Sequence, residues 1–145
     1  FCKAYPVEIE KLYELIVFDY VFSNGDAHLK NFSLCESEFG DYVLTPAYDL
    51  ICTSLHFPGE ARTALGMFDS FESESFRKNA FYGREDFLKL AELYGMKMPR
   101  AETCLNRFVK GRQKVVDLAS RSYLSEEARA DFIARFADRL TAISG

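Results

Sequence analysis

Helix-spaced apolar residues dominate four stretches of the chain, and strand-like runs are confined to short segments between them. The first stretch follows Pro6. There VEIEKLYELIVFDYVF sets Leu12, Leu15, Ile16 and Val17 on one wide face and predicts a helix over about 7–22, with Pro6 in the first turn and Glu8 and Glu10 near the positive end. Ser23, Asn24 and Gly25 stop it. A loop over 26–31 leads to two short strands, 32–34 and 42–44, joined by ESEFGD, in which Gly40 and Asp41 supply the turn; Pro46 ends the second strand.

Residues 51–61 read as an irregular loop, 63–67 as a short strand, and 68–82 shows no clear period. Helical spacing returns after Arg84, where Phe87, Leu90, Ala91 and Tyr94 share a face that Gly95 ends. Pro99 opens a helix running to about Ser120, with Leu105, Phe108, Val109, Val115 and Val116 inward and Gly111 as its weak point. Ser125 caps a last helix whose stripe is Ala128, Phe132, Phe136 and Leu140. The expected fold class is mainly α with a small β-hairpin, as one unit over residues 1–145.

Composition agrees with that picture. With 145 residues, 48% hydrophobic and 28% charged, the chain is neither disordered nor collagen-like, and it is long enough to bury a core without staples. No apolar run approaches the ~20 residues of a membrane helix and no segment resembles a signal peptide, so a cytoplasmic protein with no membrane partner is expected. The net charge of −4 is uneven: residues 1–60 carry 3 Lys/Arg against 10 Asp/Glu, whereas 61–145 carry 15 against 12. The acidic part is where a cation would be welcome. Cys2, Cys35, Cys52 and Cys104 are too dispersed for a zinc site and are expected to be reduced, partly buried thiols. His56 is given no role.

The densest polar cluster is SNGDAHLKN at the end of the first helix, followed after the hairpin by TPAYDL. Asp26, then Asn31 five positions on, then Asp49 beyond the hairpin stand out. If the strands pair, Asn31 and Asp49 return to the same end of the ribbon. One amide and one carboxylate suit Mg²⁺, which keeps waters and takes few protein ligands beside substrate phosphates. Asp26 is then placed to accept a proton from an attacking hydroxyl.

This order resembles the protein-kinase catalytic apparatus, in which a catalytic-loop Asp is followed five residues on by a metal-binding Asn and, after a hairpin, by a second metal-binding Asp. NGDAHLKNFSL with LTPAYDL narrows the resemblance to the C-terminal lobe of the HipA family, bacterial toxin Ser/Thr kinases of toxin–antitoxin modules. The specific match is confined to about 24–50, the catalytic loop and metal-binding hairpin, with 51–145 as a helical remainder that holds no diagnostic motif.

The resemblance implies a protein-kinase-like lobe in which Asp26 is the catalytic base, Asn31 and Asp49 bind Mg²⁺, and His28 and Lys30 shape the loop beside ATP. Ordinary Ser/Thr kinases have Lys two positions after the base. Here His28 stands at that position and Lys30 two further on, and Lys30 is the favoured electrostatic partner of the γ-phosphate. Tyr48 is taken as structural.

No two of the eight glycines form a G-x-G, and no V-A-I-K-like strand is present. The expectation is therefore a C-terminal lobe whose N-terminal kinase lobe is missing or lies on a companion chain, inactive by itself. The acceptor would be a protein hydroxyl, in some relatives that of an aminoacyl-tRNA synthetase, and an antitoxin is a candidate partner.

The basic stretch over 97–114 reads as a solvated face or protein-docking patch more readily than a nucleic-acid surface, given a pI near 5.3. Two other readings remain beside the protein kinase. Lipid and aminoglycoside phosphotransferases carry related loops, which would change the acceptor. A non-catalytic partner-binding module would retain the lobe without the activity. A metallophosphatase is less well served, because two His cannot supply a two-metal site.

Overall fold

A computed structural model describes residues 2–57, 59–69 and 71–145, so that Phe1, Pro58 of the expected 51–61 loop and Ser70 of the unpatterned 68–82 stretch lie outside the described residues. Its helices are α1 (Tyr5–Val21), α2 (Glu74–Asn79), α3 (Arg84–Leu93), α4 (Met98–Lys110), α5 (Arg112–Ser120) and α6 (Glu126–Ser144), with strands β1 (Leu34–Glu36) and β2 (Tyr42–Leu44) between α1 and α2. The expected class, mainly helical with an antiparallel hairpin, is what the chain forms.

α1 begins with Pro6 in its first turn, where the missing N–H costs nothing. Its fully buried face is made by Tyr13, Val17, Tyr20 and Val21, whereas Leu12 and Leu15 are only half-buried. Those rings and methyls meet Phe87, Leu90 and Ala91 of α3, Ala101 and Leu105 of α4, and Phe136, Leu140 and Ile143 of α6. Tyr20 packs edge-on to Phe87 with ring centroids 5.1 Å apart, and its hydroxyl donates to the Tyr82 carbonyl at 2.6 Å. α6 begins as its cap residue dictates, Ser125 Oγ accepting the Ala128 N–H at 3.2 Å. Gly95, at φ +68°, ends α3 in the left-handed conformation that glycine adopts without penalty.

Four local expectations are corrected. The first strand begins at Leu34 and not at residue 32, because Asn31 closes a 3₁₀ turn over Leu29–Asn31 that occupies the backbone just before it. Residues 63–67 form no strand; among the described residues they have no partner strand to pair with, and they run as irregular chain beside Tyr82, whose hydroxyl accepts the Met67 N–H. The unpatterned 68–82 stretch holds α2, capped by Ser73 Oγ accepting from Phe76 N–H at 2.9 Å. The helix expected over 99–120 is broken at Gly111 into α4 and α5. The four cysteines are free thiols; Cys35, on the two-stranded ribbon, is exposed and not partly buried as expected, and burial pushes the thiol of Cys104 up to about 11.

The hairpin pairs Leu34 with Leu44, Cys35 with Val43 and Glu36 with Tyr42. Gly40, at φ +67°, makes its turn, and a bond from Thr45 N–H to the Ser33 carbonyl at 2.9 Å continues the ladder past β1. Glu8 ties this ribbon to α1. Its carboxylate takes Lys11 Nζ at 2.6 Å and the outward Leu44 N–H at 2.7 Å, and these two bonds hold it below the usual carboxylate range. The hairpin's base is thus fixed against the helix that leads into the polar loop.

Candidate functional site

The polar cluster lies where α1 ends and the hairpin begins and closes. Asn31, at the end of the 3₁₀ turn, is 8% exposed, and its Nδ2 donates to Asp49 Oδ2 at 2.6 Å. Two side chains eighteen positions apart therefore meet at one end of the ribbon, as the spacing requires. Asp49 adopts φ +57°, a left-handed conformation uncommon for any residue but glycine. Asp26 is exposed two positions beyond Asn24; its carbonyl accepts the His28 N–H at 2.8 Å in a tight turn. The Asp26 carboxylate accepts no hydrogen bond from the described residues.

His28 and Lys30 are both exposed. The His28 carbonyl receives the Asn31 N–H at 2.9 Å, and the Lys30 carbonyl receives the Tyr48 hydroxyl at 2.8 Å. Tyr48 also meets Ser33 Oγ at 2.8 Å, so it fastens the turn to the segment that carries Asp49. Its part is structural.

Beneath this turn lies support that pattern reading did not single out. Asn24, 4% exposed, spends both hydrogens of its amide, one on Asp19 Oδ1 at 3.1 Å and one on the Asp49 carbonyl at 2.9 Å. Asp19 is buried on α1; burial pushes its carboxyl up to about 6, the Asn24 bond opposing and the Asp49 charge adding to the rise. Thr53 Oγ1 accepts the Gly25 N–H at 2.8 Å and donates to the Glu60 carboxylate. Only glycine fits at position 25, because a Cβ there would lie 2.7 Å from the Ala61 carbonyl oxygen. One sequence signal marked the missed pair: in LIVFDYVF, Asp19 is the lone charge in an otherwise apolar and aromatic run.

The donors suit a hard cation in one respect that does not depend on any resemblance. Asn31 Oδ1 is buried and has no hydrogen-bond partner among the described residues, while its Nδ2 is spent on Asp49, so the amide presents an acceptor that a cation would satisfy. Among the described residues no three of His, Cys, Asp and Glu gather into a cage. The basic stretch is partly neutralised, Arg100 clasping Glu10 with two nitrogens and Arg107 pairing with Glu14. An apolar groove of about 610 Å³ runs beside the hairpin between Leu15, Phe18, Val43 and Leu50. No helix of the described residues is long and apolar enough to cross a membrane.

The model of the HipA-like C-terminal domain family matches residues 2–118. The chain is also 38% identical over 58 residues to "Putative kinase Y4dM" of Sinorhizobium fredii (strain NBRC 101917 / NGR234). That match covers 40% of this chain and 14% of the relative, so the chain corresponds to a small part of the relative's length.

Proposed function

This chain belongs to the HipA-like C-terminal domain family, and from that premise we propose that it is the catalytic C-terminal lobe of an ATP-dependent Ser/Thr protein kinase, protein-kinase-like in fold and acting as a bacterial toxin. The observation that carries the reading is the 2.6 Å contact of Asn31 with Asp49 at the foot of the hairpin, with a buried amide oxygen left over. The kinase in the name of the S. fredii relative supports the same class of reaction.

Asn31 and Asp49 would hold Mg²⁺, which when bound neutralises charge on the ATP phosphates. Asp26 supplies the base: its unengaged carboxylate takes the proton of the acceptor Ser or Thr hydroxyl as that oxygen bonds to the γ-phosphorus and the bond to the ADP oxygen breaks. Lys30, exposed on the same turn, brings positive charge toward the γ-phosphate. His28 sets the backbone of that turn through its carbonyl. We place the lobe that covers the ATP phosphates outside residues 1–145, because these contain no glycine-rich loop, and this lobe by itself is then inactive or nearly so. A cytoplasmic protein acceptor and an antitoxin partner complete the reading.

The test is phosphoryl transfer from labelled ATP to protein in a cell lysate by the full-length protein, followed by identification of the labelled residue. Phosphoserine or phosphothreonine is expected, and Asp26→Asn lowers the rate by about 10²-fold or more while the melting temperature holds. Label found only in lipid or a small molecule contradicts the protein-kinase assignment. Undiminished transfer by Asp26→Asn removes the base.

A further inference from the structure

Asp49 is both the proposed metal ligand and a residue in a costly backbone conformation, so something must hold it there. Among the described residues the one side chain that bonds its carbonyl is Asn24, beside a backbone bond from the Ile51 N–H at 3.1 Å. That amide is itself aimed by a buried carboxylate on α1, since one hydrogen goes to Asp19 and the other to Asp49. The backbone repeats the tie, the Asn24 N–H reaching the Asp19 carbonyl at 2.9 Å. Both residues are buried, Asn24 at 4% and Asp19 at 6% exposure.

We propose that Asn24, oriented by Asp19, is a positioning residue: it clamps the Asp49 main chain so that the Asp49 carboxylate stays on Asn31 and the two present their oxygens together. This rests on the reading of Asn31 and Asp49 as metal ligands and deepens it. The physical reason is directional. An amide has two hydrogens in one plane, and here they join a rigid helix to the one carbonyl whose rotation would swing the carboxylate away. No other side chain of the cluster makes that connection: Thr53 reaches Gly25, and Tyr48 reaches the Lys30 carbonyl.

The experiment uses the full-length protein with a non-hydrolysable ATP analogue. Mn²⁺ binding is followed by electron paramagnetic resonance, and hydrogen exchange of the 47–52 segment is followed without metal. Asn24→Ala and Asp19→Ala are expected to weaken Mn²⁺ binding about tenfold or more, the usual effect of losing a partner that orients a ligand, and to speed exchange in that segment. Asp19→Asn, which keeps an oxygen for the Asn24 amide, restores both.

A general loss of stability would lower the melting temperature of both Asp19 variants without separating their Mn²⁺ affinities. If Asn24→Ala does not fold, the Asp19→Ala and Asp19→Asn pair decides, and equal affinities in those two overturn the clamp. Mn²⁺ affinity unchanged in Asn24→Ala, with Asp49→Asn having lost it, overturns the clamp and leaves the metal reading standing. Undiminished affinity in Asp49→Asn overturns the metal reading and the clamp with it.

Discussion

Asp19 is a buried carboxylate whose ionisation costs the fold stability. Its carboxyl, pushed up from 3.8 to about 6 by burial, carries a proton more readily folded than unfolded. Its contribution to stability is therefore full below about pH 4 and is lost as pH rises through about 6. Asp19→Asn removes that penalty. The variant should match wild type in chemical denaturation near pH 3.5 and exceed it by on the order of 2 kcal/mol at pH 8. A variant less stable than wild type at pH 8 would show that the charge is compensated in the fold.

At this scale the sequence was legible where residue types formed a spaced set. Asp26, Asn31 and Asp49 could be picked out by order, and Asn31 does meet Asp49. In the sequence Asn24 reads only as a helix stop, because an Asn followed by Gly satisfies that role locally and nothing along the chain reveals the Asp49 carbonyl that takes its amide.

Among the elements, the hairpin depends on a contact outside itself. Two three-residue strands have little stability of their own, and the Leu44 N–H on the outer edge of β2 is met by Glu8 of α1. Glu8→Ala should leave that N–H unpaired, cost about 1–3 kcal/mol and speed amide exchange over Tyr42–Leu44. Because Lys11 and the Leu44 N–H hold Glu8 below the usual carboxylate range, its contribution is full at neutral pH and is lost as pH falls through that lowered value. The difference between Glu8→Ala and wild type should shrink in acid. Exchange over β2 that does not change would place the hairpin's anchor elsewhere.

Helix positions were readable wherever apolar spacing was long and a cap residue stood at the start, as at Ser125. The errors have local causes. α2 has six residues, too few for a periodic signal, and none of them is buried. Gly111 breaks a pattern whose apolar spacing continues through it, and the run at 63–67 had strand-like composition but no neighbouring strand to pair with.

For the molecule as a whole, the core is shared between segments far apart in sequence. α6 lies beyond the residues matched by the family model, yet Phe136, Leu140 and Ile143 are nearly or fully buried among residues of α1, α3 and α4. Removing residues 126–145 should therefore abolish cooperative thermal unfolding, because burying each such side chain contributes roughly 1.5–3 kcal/mol and net stability is only of the order of 5–15 kcal/mol. A truncated chain that melts cooperatively near the wild-type temperature would show that α6 is an accessory.

The same architecture sets the base of the hairpin, the turn after α1 and the Asp49 segment against one another, and that is the premise of the activity we propose. The most direct measurement is Mg²⁺-dependent transfer of the labelled γ-phosphate of ATP to protein by the full-length protein, wild type beside Asp49→Asn at matched melting temperature. The expected result is transfer by wild type that needs Mg²⁺ and is absent in Asp49→Asn. Equal transfer by the two proteins, or none by wild type, would contradict it.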